Sequence, residues 1–370
     1  MSADAVKLTT YFGERDRADG RLLADELLSI YERRHMRTSV LFRGAEGFGR
    51  LHHLHTDRLL SLSEDLPVVA TALDTPERIE ALLADVLAIK HRGLITLERA
   101  RLLSTDAGSD GAVDVPGLDA PASVARARDT LERKLTIHVG RSERVGARPA
   151  FVAVCELLHR RGVAGASVLL GVDGLRDGRR TRARFVSRNA DVPMTIVAVG
   201  AGERIAAVAP ELAQMLRRPP ITLERVRVCK RDGELLATPH ELAGADARGR
   251  ALWQKLTVYS SHDATHEGRT LHLEIVRRLR AGDAAGATCL TGVWGFHGAH
   301  APHGDRLLQL RRHVPVLTIA VDSPAKAARS FAAIDELTRE HGLVTSEVVP
   351  AMQALGTGER IGALELADTN

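Results

Sequence analysis

The segment Ile95–Arg101 reads ITLERAR and the segment Ile221–Arg227 reads ITLERVR, so six of seven letters agree. A repeat constrains the fold more than any other feature of this chain. A block written several times must fold as one supersecondary unit and bury its apolar face against its copies. The openings repeat as well: KLTTYFGERDR at Lys7, KLTIHVGRSER at Lys134 and KLTVYSSHDAT at Lys255. Each opening is followed by a Gly-x-x-Gly element, GAEGFG from Gly44, GVDGLR from Gly171 and GVWGFH from Gly292. Each element is followed by an apolar run opened by a proline, Pro67, Pro193 or Pro315. A worn third copy of the heptad, VTSEVV, spans Val344–Val349. The landmarks divide the chain into unit 1 (1–103), unit 2 (134–229) and unit 3 (255–352), with linkers at 104–133 and 230–254 and a peripheral tail at 353–370.

Within a unit the periodicity changes in a fixed order. Leu135, Ile137 and Val139 alternate with polar residues, as in a half-buried strand. Leu23, Leu27 and Tyr31, like Leu271, Ile275 and Leu279, recur at helical spacing. A short apolar strand leads into the Gly-x-x-Gly turn, a polar excursion follows, and the proline-led strand comes next. Thr75-Pro76 and Ser323-Pro324 put a capping residue before a proline at the first helical position of a second helix. The heptad forms the last strand. Strand, helix, strand, strand, helix, strand is a ferredoxin-like α+β unit, whose sheet is left bare on one face. Three tandem units are expected to cover each other's bare faces. Residues 104–125, rich in Gly, Pro, Ser and Asp, read as a tether, and ELAGADARGRALWQ reads as a short helix leading into unit 3.

Composition excludes several classes. With 44% hydrophobic and 26% charged residues, the 370-residue chain is ordinary globular material. No apolar run reaches the roughly 18 residues of a membrane helix, and charges interrupt the N-terminus where a signal peptide would be apolar. Cys155, Cys229 and Cys289 are too few and too scattered for a disulfide framework. A cytoplasmic protein without membrane insertion is expected. Net charge is +4 and aromatics are 3%, so a nucleic-acid face is not expected. The basic stretch Arg176–Phe185 reads first as a solvated loop and second as a phosphate contact.

The stretch Arg43–Leu83, with GAEGFG, His55-Thr56 and LSEDLPVV, resembles the PII-like proteins of the domain-of-unknown-function 190 family, relatives of PII signalling proteins and CutA. The resemblance runs through all three units, strongest in unit 1 and weakest in unit 2. It implies a trimer of ferredoxin-like units fused into one polypeptide, a monomeric pseudo-trimer. It further implies a small anionic effector such as an adenine nucleotide in clefts between units, no required cofactor, and a T-loop-like segment after the second strand that docks on a protein target. One departure from PII is plain. The second helix runs almost directly into the last strand, without the Gly- and Lys-rich loop that helps PII hold phosphates.

The residues carry further expectations. Gly44, Gly47 and Gly49 around Phe48 offer either a phosphate-cradling turn or a tight structural bend. Gly292, Gly295 and Phe296 repeat the pattern, and Phe48 and Phe296 serve core packing or base stacking. Six lysines stand against forty-five arginines, yet Lys7, Lys134 and Lys255 share one repeat position. A compact ammonium is selected there, for an anionic ligand or for a neighbouring carboxylate. Arg43, Gly47, Phe48, Gly49, His55 and Thr56 are the expected lining of the best-preserved cleft. His52, His53 and His55, with His297, His300 and His303, would suit a metal, the CutA-type alternative, and a ligand-free interaction module is the other. No hydrolase elbow, Walker or zinc-protease pattern is present, and the pair Glu64-Asp65 becomes Ala190-Asp191 and Arg312-His313. No enzyme is expected.

Overall fold

The structure, a computed structural model, describes residues 2–49, 54–56, 65–103, 132–176, 178–182, 192–216, 219–298, 302–304, 314–356 and 359–369. The tether at 104–125 and residues His52, His53, Glu64, Ala190, Asp191, His300, Arg312 and His313 lie outside them.

Unit 1 comprises β1 (Ser2–Gly13), α1 (Leu23–Arg33), β2 (Thr38–Arg43), β3 (Glu46–Phe48), β4 (Leu54–Thr56), β5 (Pro67–Asp74), α2 (Pro76–Ile89) and β6 (Gly93–Leu103). Unit 2 comprises β7 (Glu132–Gly140), α3 (Ala150–Arg160), β8 (Gly165–Leu170), β9 (Asp173–Arg176), β10 (Arg179–Arg182), β11 (Pro193–Ala201), α4 (Gly202–Met215), β12 (Ile221–Arg225) and β13 (Arg227–Arg231). Unit 3 comprises β14 (Trp253–Ser261), α5 (Leu271–Ala281), β15 (Ala287–Thr291), β16 (Trp294–His297), β17 (Pro315–Asp322), α6 (Pro324–Leu337), β18 (Leu343–Val349), β19 (Ala351–Leu355) and β20 (Arg360–Ala363). Among the described residues the three repeats are mixed α+β, with six helices and extensive antiparallel sheet. Their central strands run in the order β2-β5-β1-β6, β8-β11-β7-β12 and β15-β17-β14-β18.

The helices form where the apolar spacing predicts. Leu23, Leu27 and Tyr31 of α1 are buried, with Asp25 and Glu26 in the first turn and Arg33 in the last, which suits the helix dipole. Pro76 and Pro324 do open α2 and α6, but Thr75 and Ser323 make no side-chain cap. The preceding aspartates act instead: Thr75 N–H donates to Asp74 Oδ1 and Ser323 N–H to Asp322 Oδ1, both at 2.8–2.9 Å.

The units exchange strands in a closed cycle. β3 of unit 1 pairs with β15 of unit 3, β9 of unit 2 with β2 of unit 1, and β16 of unit 3 with β8 of unit 2. The last strands close a second cycle, β6 on β12, β13 on β18 and β19 on β6. The bare sheet faces meet: Phe42 and Val69, Leu169, and Leu290 and Leu317, from units 1, 2 and 3 in turn, share one buried cluster.

Two expectations are corrected. The tail is not peripheral, because Leu355 lies in the core of unit 1 with Leu364 and Leu366 packed against it, and Ala367 is buried with its carbonyl accepting Arg99 Nη1 at 2.9 Å. Residues 237–252 hold no helix. Asp246 Oδ1 accepts the N–H groups of Arg248 and Arg250 at 2.9 and 2.8 Å, and such local bonds compete with a helix. Gly249, at φ +78°, reverses the chain there. The basic stretch is also partly engaged: Arg180 pairs with Asp173 at 2.8 Å, and Arg182 with Asp25 of α1 at 3.0 Å.

Candidate functional site

The Gly-x-x-Gly element is the crossing point between units. Gly44 N–H donates to Pro67 O at 2.7 Å and Ala45 N–H to Cys289 O of unit 3 at 2.9 Å. Gly171 and Val172 repeat this with Pro193 and Leu41, and Gly292 and Val293 with Pro315 and Val168, all at 2.7–2.8 Å. A Cβ on Gly47 would lie 2.6 Å from Ala287 O, and Gly174 and Gly295 face the carbonyls of Ser39 and Ala166 still more closely. Close backbone approach therefore requires glycine here. The amides of Gly44 and Ala45 are committed to carbonyls rather than open to an anion.

The residue after the second glycine is given to the neighbour's core. Phe48 packs with Ile275 and Ile334 of unit 3, Leu175 with Leu27 and Leu82 of unit 1, and Phe296 with Leu158 and Ile196 of unit 2. Both phenylalanines are thus core residues whose backbone also borders a cleft.

Among the described residues, two clefts open beside these swapped strands. One, of about 350 Å³, lies between units 1 and 3, with Gly13, Asp16, Gly47, Phe48, Gly49 and Arg92 on one wall and Ala285–Thr288 on the other. The second, of about 430 Å³, lies between units 3 and 2 and uses the equivalent Ser261, Ala264, Gly295, Phe296, His297 and His341 against Ala164–Ser167. Beneath the first, Lys90 is fully buried, donating to Tyr11 O at 3.0 Å and Arg92 O at 2.6 Å. Burial pushes its ammonium down to about 7, against the pull of Asp16. Sequence reasoning missed Lys90; its one signal was lysine in an arginine-rich chain.

The remaining expected site residues stand elsewhere. Arg43 is on the surface, 2.9 Å from Glu14. His55 and Thr56 lie in β4, their backbone paired with Gly47 and Glu46. Lys7, Lys134 and Lys255 are not in the two clefts. They meet the heptad glutamates Glu98, Glu224 and Glu347 in a closed ring. Lys7 Nζ lies 2.5 Å from Glu224 and 3.2 Å from Glu98, Lys134 2.8 Å from Glu224 and against Glu347, and Lys255 3.1 Å from Glu347 and against Glu98. Every lysine touches two glutamates and every glutamate two lysines. Of the two readings of these lysines, the carboxylate partner is the observed one.

Electrostatics inside the ring follow from that alternation. Burial alone would raise the Glu98 carboxyl, but Lys255, Lys7 and Lys134 outweigh it and hold it at about 2. Glu224 is held lower still by Lys134, Lys7 and Lys255, again against burial. Glu98, Glu224 and Glu347 form the one metal-competent group found among the described residues. Three ammonium groups already balance their charge, so a divalent cation would have to displace them. A cavity of about 110 Å³ adjoins the ring. No helix among the described residues is long and apolar enough to cross a membrane.

Comparison with known proteins agrees with the threefold pattern. The family model DUF190, described as an uncharacterized ACR, matches residues 5–102, 132–228 and 253–351. A UPF0166 protein of Aquifex aeolicus (strain VF5) is 31% identical over 98 residues, which is 26% of this chain and 92% of that protein. Among solved structures, an aspartate kinase from Synechocystis shares 10% identity, with 96% of this chain and 45% of the kinase chain covered, at a TM-score of 0.26. An unknown protein from Galdieria sulphuraria shares 14% identity, with 61% and 99% covered, at a TM-score of 0.16. Neither structural score is high enough to bear on fold or function.

Proposed function

This chain belongs to the DUF190 family, and from that membership we propose that it is a PII-like regulatory protein of the cytoplasm, three ferredoxin-like units packed as a pseudo-trimer within one polypeptide. It binds a small anionic effector, an adenine nucleotide being the leading class, in the clefts between units. It relays occupancy to a protein partner through the segments that follow the second strand of each unit. The proposal assigns it no catalysis and no resident cofactor.

The observation that carries this reading is the pair of clefts at unit boundaries, each bordered by a swapped, glycine-flanked strand. A ligand held there touches two units at once. Its binding energy can therefore bias the strand crossing from which the polar excursions leave, and a conformational response requires such a differential contact.

Thermal unfolding against adenine and guanine nucleotides, cyclic nucleotides, bicarbonate and divalent metals tests the reading. A ligand at a hundred times its dissociation constant adds about 2.7 kcal/mol, a shift of several degrees for a chain of this size. A nucleotide shift lost on bulky substitution at Gly49 is expected. A response to metals alone would replace this reading with a metal-binding one, and no response to any ligand would leave an interaction module.

A further inference from the structure

The third unit boundary, between units 2 and 1, carries a side chain that the other two lack. Its register is the same: Leu175 pairs with Ser39 as Phe296 pairs with Ala166 and Phe48 with Ala287. The next residue stands at the same register at each boundary, lining the two clefts as Gly49 and His297 and being Arg176 at the third. Arg176 reaches back into its own unit, where Nη1 lies 2.6 Å from Glu143 Oε2. That same oxygen accepts Gly140 N–H at 3.1 Å. The guanidinium also fills the space above Gly140, where a Cβ would lie 2.7 Å from Nη1.

The cleft between units 1 and 3 keeps the acceptor but has no arginine plug: the space above Gly13 is taken by the short Asp65 carboxylate, and the cleft stays open beside it. Asp16 Oδ2 accepts Gly13 N–H at 3.1 Å, as Glu143 does for Gly140. Gly49 stands in place of the arginine, and a Cβ built on it meets nothing within 4 Å. In the cleft between units 3 and 2 Ala264 stands at the position of Asp16 and Glu143, although Asp263 and Asp232 also line that cleft, and His297 turns to Asp232 at 3.6 Å. A plug thus needs both a long cation after the swapped residue and a carboxylate opposite it.

We propose that the residue at 49, 176 and 297 is the gate of each inter-unit cleft, and that Arg176, held by Glu143, is a tethered occupant that shuts the third. The chain then has two open ligand sites and one closed by its own guanidinium. This rests on the reading that the clefts are binding sites, but its test does not need the natural effector.

The probe is 8-anilinonaphthalene-1-sulfonate, an aromatic anion whose fluorescence rises on entering an apolar cleft. Titrated into the full chain, it should saturate at two equivalents for the wild type, three for R176G and one for G49R. Three equivalents on the wild type, or a count unchanged by both substitutions, overturns the gate. Counts that follow the substitutions while no nucleotide shifts unfolding would leave the gate standing and sink the effector proposal instead.

Discussion

Lys134 of unit 2 is shared between Glu224 of its own unit, at 2.8 Å, and Glu347 of unit 3. The same sharing, repeated by Lys7 and Lys255, ties all three units through six charges, five of them buried and that of Lys7 half-buried. Removing one member leaves two partners with an uncompensated charge in a low-dielectric interior, which costs about 3–5 kcal/mol. Glu347→Gln should therefore lower the stability read by urea unfolding by that amount. Replacing all six by apolar residues of similar volume should cost far less. A single substitution costing under about 1 kcal/mol, the usual worth of a surface pair, would mean that the ring is solvated.

The ring also sets an acid limit. Glu98 at about 2, and Glu224 below it, sit under the ordinary carboxylate value of 4.5. Depressed carboxylates bind fewer protons in the folded chain than in the unfolded one, so their stabilisation is complete above about pH 4.5 and fades as pH falls toward 2. Midpoints of urea unfolding should drop steeply over that interval, and less steeply in Glu98→Gln. Equal slopes in the two proteins would place the acid sensitivity outside the ring.

Much of this architecture was legible in the letters, and the rest was hidden for physical reasons. Period-two and period-3.6 patterning located the strands and helices because each element buries one face. Patterning left Phe48 open between core packing and base stacking and named no partner unit, and the answer is the core of unit 3. The lysines were singled out, and the heptad glutamates Glu98 and Glu224 stood in identical repeat positions, so their pairing had a visible signal: opposite charges recurring in register. The tail gave none, since its pairing with β6 depends on where unit 1 lies in space. The loop at Asp246 looked helical by composition, and a local side-chain bond decided otherwise.

Strand exchange makes a core substitution in one unit a lesion in another. Phe48 is 4% exposed and lies among Leu271, Ile275 and Ile334 of unit 3. Phe48→Ala should cost about 3–5 kcal/mol, as large-to-small changes in a packed core do. Hydrogen exchange should locate the loosening in α5 and β15, not in the unit that carries the mutation. Loosening confined to unit 1 would contradict the exchange of strands.

Lys90 titrates in the opposite sense to the ring glutamates. Its folded value of about 7 lies below the ordinary 10.5, so the unfolded chain holds the proton more tightly. The burial penalty is full below pH 7 and is relieved as pH rises toward 10.5, and this group makes the chain more stable across that window. Lys90→Met also leaves the carbonyls of Tyr11 and Arg92 without their donor, so its baseline stability can move either way. The slope is the diagnostic. Between pH 7 and 10.5, stability of the wild type should gain on that of Lys90→Met steadily. Parallel curves would show that Lys90 stays charged throughout, held by its two carbonyl acceptors under the cleft.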